Sequence, residues 1–93
     1  MNFEDTAVWK AFEELGRLTF APGALDTKEK ELIAVGIAVA MRCSDCMAHH
    51  MSAALECGSD KAEIAEAIAV GAEMGGGPAM TAARWACGKL EEL

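Results

Sequence analysis

Between Thr6 and Leu18, apolar side chains return at Val8, Phe12 and Leu15, the spacing that lines one face of an α-helix, and the segment ends in the breaker FAPGALD. A second helix is predicted from DTKE, where the Asp26 carboxylate can accept from the amide of Glu29 while the Glu29 side chain reaches back, and it runs to about Met41. From Leu32 and Ile33 onward this stretch is apolar all round, which marks it as the central helix. A third helix starts within CSDC and runs to Cys57, where Gly58 supplies a left-handed stop. A second capping box, DKAE at Asp60 to Glu63, opens a fourth helix that carries Ile64, Ala67, Ile68 and Val70 inward and ends at GGG. Pro78 then takes the first position of a fifth helix, followed by Met80, Ala83, Trp85 and Leu90. No sustained period-two alternation, internal repeat, low-complexity tract or linker is visible, so the expected fold is all-α, a compact bundle of about five helices.

Length makes residues 1–93 a single domain, because a core divided between two units of this size would support neither. Composition adds self-association: 53% of the residues are apolar, more than a monomer this small can readily hide, so part of that surface is expected to be covered by another copy of the chain. The formal charge of −7, with scattered basic residues, argues against a nucleic-acid partner. The N-terminus MNFEDTAVWK shows no secretion signal, and the longest apolar run, LIAVGIAVAM, is about half a membrane span. A soluble, cytoplasmic protein without membrane contact is expected, and there four cysteines point to reduced, reactive or metal-binding thiols rather than a disulfide framework.

The chemistry concentrates in RCSDCMAHH, Arg42 to His50. On a helix, Cys43 and Cys46 lie one turn apart, with α-carbons roughly 5 to 6 Å from each other, inside the range a disulfide tolerates. In the first turn, free amides and the helix dipole favour a thiolate, and Arg42 would add to that effect. His50 follows Cys46 by four residues and shares its face, where it could take or return a proton, or simply pack between helices. A working imidazole needs an orienting partner, and Glu31, at the edge of the apolar run of the central helix, is the candidate carboxylate. Glu31 could equally lie on the exposed first turn beside Glu29 and Lys30. His49, about 100° around the helix from His50, is read as a surface or interface residue, Cys57 and Cys87 as small core residues, and Asp45 as a solvated first-turn residue.

Taken together, GALDTKEKELIAVGIAVA, CSDCMAHHMSAALECG and AEIAEAIAVGAEMGGGPAM resemble the alkylhydroperoxidase D-like, carboxymuconolactone decarboxylase family of all-helical proteins, over about Phe20 to Trp85. In its peroxidase branch a glutamate stands twelve residues before a C-x-x-C pair and a histidine four residues after it. Glu31, Cys43, Cys46 and His50 occupy those positions here. The resemblance implies a thiol-dependent peroxidase or disulfide reductase, with the C-x-x-C at the N-terminus of the third helix and a Glu–His relay that draws a proton from a cysteine. The thiolate attacks a hydroperoxide substrate, the second cysteine closes a disulfide, and a dithiol or thioredoxin-like reductant resets the pair. The relay favours Cys46 as the thiol deprotonated through His50 and leaves Cys43 more open to oxidant or reductant. No cofactor or metal is called for, and a trimer or hexamer is implied.

One departure is Asp45, which stands where the peroxidase branch often carries a histidine and which disfavours a neighbouring thiolate. The decarboxylase branch generally lacks the cysteine pair, so its substrate class is not carried over. Two other classes remain open from the residues alone. One is a zinc module using Cys43, Cys46 and His50 with Glu31, although a second well-separated ligand pair is missing. The other is a purely structural helical oligomer whose thiols have no task.

Overall fold

The computed structural model describes residues 1–93: a 3-10 turn at Phe3–Asp5, then α1 (Ala7–Phe20), α2 (Thr27–Met41), α3 (Ser44–Glu56), α4 (Lys61–Gly75) and α5 (Gly77–Glu91), with no strand. Four of these helices begin at a side chain that accepts an otherwise unpaired amide. Thr6 Oγ1 takes the N–H of Trp9 at 3.1 Å. The carboxylates of Asp26 and Asp60 take those of Glu29 and Glu63 at 2.7 and 2.8 Å, and both glutamates reach back to complete the expected capping boxes. The fourth is a cysteine, Cys43, at the start of α3. Helix α5 has no side-chain cap and starts one residue earlier than expected, so Pro78 is its second residue, where an absent N–H still leaves no helical bond unmade.

α2 is the central helix, packed along both α3 and α4, with α5 closing against α4. Val35 and Val39 of α2, Met47 and Met51 of α3, and Ile64 and Ile68 of α4 are the largest fully buried side chains. The α2–α4 crossing is close because glycine meets glycine. A Cβ on Gly71 would lie 2.9 Å from the carbonyl carbon of Gly36, which no ordinary contact permits.

Several apolar positions face out, among them Val70, expected to point inward. α1 buries no residue: Val8, Phe12 and Leu15 do form one face, but each is more than half exposed. On α4, Val70 is exposed, and so are Met80 and Trp85 on α5. Cys57 and Cys87, read as core residues, are exposed free thiols. The physical reason is common to all of them. Helical periodicity reports which side chains share a face, and only the packing of neighbouring helices decides whether that face is covered. On α2 the outward residues Ile33 and Ile37, with Val70 and Met74 of α4, border an open apolar groove of about 490 Å³. No helix is long and apolar enough to cross a membrane.

Candidate active site

The corner between α2 and α3 is built by the backbone. Arg42 adopts the left-handed conformation, φ 59° and ψ 41°, in the place glycine normally fills after a helix. Its N–H donates to the carbonyl of Val39 and that of Cys43 to the carbonyl of Ala38, both at 3.0 Å, so the last turn of α2 is closed by paired bonds of the Schellman type. A non-glycine residue there costs about 1 kcal/mol. Cys43, held by its amide at the end of α2, then starts α3: its Sγ accepts the N–H of Cys46 at 3.3 Å. One residue therefore ends one helix and begins the next, which fixes the cysteine pair at the α3 N-terminus.

Cys43 and Cys46 are joined as a disulfide, with α-carbons 5.2 Å apart. Cys46 is the exposed member and Cys43 the half-buried one, the reverse of the expectation that Cys43 is more open. Its place in the corner, gripped between two helix ends, is what covers Cys43. Asp45 is exposed in the first turn of α3, as expected of a solvated residue, and its charge complements the helix dipole.

Glu31 is buried, not on an exposed first turn. It precedes Val35 by four residues and so continues the stripe of α2 that faces the core. His50 lies three residues past the buried Met47 and four before the buried Ala54, on the matching stripe of α3. The stripes bring the two side chains together: Glu31 Oε1 lies 2.6 Å from His50 Nδ1, with side-chain exposures of 9% and 21%. A carboxylate can only accept, so Nδ1 carries the hydrogen and donates it, and Nε2 of the neutral ring keeps a free lone pair. This half-covered charged hydrogen bond is stronger than a surface ion pair because little water competes for it.

The groups around the ring are not legible from spacing along the chain. Phe20, the last residue of α1, stacks on His50 with ring centroids 5.4 Å apart and planes at 19°. His49 touches it edge-on, with centroids 4.8 Å apart and planes at 82°, while remaining exposed. No local signal in TFAPG marks Phe20 for this place, since the stack exists only because the end of α1 is tied to α2, within reach of the ring on α3. No group of three or more His, Cys, Asp or Glu side chains is arranged to hold a metal ion. Beside the corner lies an open cleft of about 450 Å³, lined by Arg42, Ser44, Met47, Pro78, Thr81 and Trp85.

Fold and site together define an all-helical protein with a disulfide-forming C-x-x-C at a helix start and a buried carboxylate bonded to a half-buried imidazole, carried by the two helices that meet there. The chain belongs to the carboxymuconolactone decarboxylase family, whose family model matches residues 7–86. It is 41% identical over 83 residues to "uncharacterized protein 4 in cox locus" of Paracoccus denitrificans, a match covering 89% of this chain and 75% of that one. A carboxymuconolactone decarboxylase family protein of Thermotoga maritima superposes with a TM-score of 0.86 at 34% identity, over 94% of this chain and 74% of its own. An apo-form family member from Legionella pneumophila gives 0.85 at 34% identity, over 91% and 76%.

Proposed function

We propose that the protein is a thiol-dependent oxidoreductase that reduces hydroperoxides, or disulfides, through Cys43 and Cys46 with Glu31 and His50 as proton relay. The observation that carries this reading is the 2.6 Å contact between the buried Glu31 and His50, set one helical turn beyond a cysteine pair close enough to be bridged. Support also comes from the Thermotoga relative, which is described in terms of a possible part in an antioxidative response.

In the reduced protein, Nε2 of His50 accepts the proton of a cysteine thiol while Glu31 steadies the imidazolium through Nδ1–H. The thiolate attacks the outer oxygen of ROOH. A sulfur–oxygen bond forms as the oxygen–oxygen bond breaks, and the alkoxide leaves as ROH with a proton returned by His50. The second thiol displaces hydroxide from the sulfenic acid, giving the disulfide and water. A dithiol or thioredoxin-like donor then supplies two electrons and two protons by thiol–disulfide exchange and is itself oxidised. With a disulfide substrate the first attack falls on sulfur and expels one thiolate, which His50 protonates, and the second cysteine then displaces the other thiol from the mixed disulfide. Self-association belongs to this reading, because it would cover the exposed apolar faces of α1, α2 and α4.

The test is to add hydrogen peroxide or an organic hydroperoxide to reduced protein and count free thiols. Loss of two thiols per chain, restored by a dithiol and absent from Cys43→Ser and Cys46→Ser, is expected. A thiol count unmoved by hydroperoxides and by small disulfides alike would remove the enzyme.

A further inference from the structure

α1 meets the rest of the fold chiefly through its last residues. The Thr27 hydroxyl donates to the Phe20 carbonyl at 2.8 Å, and the Lys30 ammonium donates to the carbonyls of Thr19 and Ala21 at 3.0 and 2.7 Å. These bonds satisfy carbonyls that a helix end leaves unpaired, and the cation matches the negative end of the helix dipole. The residue after Lys30 is Glu31. Two consecutive side chains of α2 thus hold the two groups that meet at His50: Lys30 holds the end of α1, which presents Phe20, and Glu31 holds the ring nitrogen itself.

We infer that Phe20 is a positioning residue for His50: its ring, anchored by Thr27 and Lys30, fixes the imidazole plane and shields the Glu31–His50 hydrogen bond from water. A single hydrogen bond at Nδ1 can be lost to a flip of the ring about χ2 or to competing water, whereas a parallel ring on its face opposes both. The stack thereby holds His50 in the form with hydrogen on Nδ1 and a free lone pair on Nε2. For catalysis this inference rests on the redox reading above, but its structural content does not.

The test reads the two separately. In ring-nitrogen NMR at a pH where imidazoles are neutral, wild-type His50 is expected as one tautomer, protonated at Nδ1. Phe20→Leu should show a mixture of tautomers, and Phe20→Tyr, which keeps the stack, should restore the single form. Lys30→Met, which loosens the end of α1 without touching the ring, should fall between and guards against a Phe20→Leu protein that fails to fold. The rate of peroxide-driven thiol loss should fall about 2- to 10-fold in Phe20→Leu, the range an aromatic stack contributes, and recover in Phe20→Tyr. A single Nδ1–H tautomer retained in both Phe20→Leu and Lys30→Met overturns the inference, whatever the rates. A tautomer that responds in a protein showing no peroxide chemistry sustains the positioning and removes the redox reading instead.

Discussion

Cys43 caps a helix, and that role can be separated from the redox role proposed for it. Its amide closes the end of α2 and its sulfur caps α3, so before any redox chemistry it helps to hold the corner in which it sits. Sulfur is a weak acceptor and serine a good cap. In the reduced state Cys43→Ser should therefore be at least as stable as wild type, and Cys43→Ala less stable than Cys43→Ser by about 1 kcal/mol in urea titrations. Equal stability of the two variants would show that no side-chain cap operates there. At this scale the sequence was informative about Glu31, Cys43, Cys46 and His50, whose spacings of twelve, three and four residues can be counted. It was silent on Arg42, since nothing marks a left-handed arginine where glycine is customary, and on Phe20, whose partner lies thirty residues away.

Helices were legible where a local device writes them. The capping boxes at Asp26 and Asp60 and the stop at Gly58, φ 94°, depend on residues within one turn, and all three form. The apolar face of α1 forms as its spacing predicts but lies uncovered, because covering a face depends on partners that are not neighbours in the chain. The glycine contact between α2 and α4 is another such nonlocal feature, and it makes a sharp contrast. Gly71→Ala must push the helices apart and should cost about 1–3 kcal/mol. Gly16→Ala on α1, where an added Cβ meets nothing within 4 Å, should add about 0.5–1 kcal/mol through helix propensity. Denaturant titrations of the pair decide it: similar effects would mean that the crossing is looser than described. A second tie joins the same helices, Lys28 Nζ to Glu63 at 3.1 Å. The Asp60 amide first, and then Lys28, hold the Glu63 carboxyl below its ordinary 4.5, while Glu63 raises Lys28 above 10.5. A depressed carboxyl adds stability that is present above pH 4.5 and lost as pH falls through its folded value. A raised amine adds stability that is present below pH 10.5 and lost as pH rises through its own. Glu63→Gln should accordingly flatten the acid limb of the stability curve and Lys28→Met the alkaline limb, both modestly because the groups are wet. Limbs unchanged from wild type would show that the pair contributes nothing.

On the scale of the whole molecule, the exposed apolar surface and the site form one problem. Val8, Phe12 and Leu15 on α1, Ile33, Ile37 and Met41 on α2, and Val70 and Met74 on α4 are large apolar side chains left in water by a single chain. Sedimentation should find a homo-oligomer at micromolar concentration. Phe12→Lys or Ile37→Glu should weaken it about tenfold or more, since burying one such side chain contributes about 1.5–3 kcal/mol. A wild-type monomer would return the apolar faces to some other partner. Composition made this surplus legible, but which residues form it depends on how five helices stack. In the proposed reading the chemistry rests on the carboxylate of α2 acting through the imidazole of α3 on the sulfurs at the corner. Its most direct test is the rate constant for oxidation of the reduced pair by an organic hydroperoxide, measured by stopped flow in wild type, Glu31→Gln and His50→Phe. Both variants should be slower by about 100-fold, the usual contribution of a positioned acid–base group. Equal rate constants in all three proteins would contradict it.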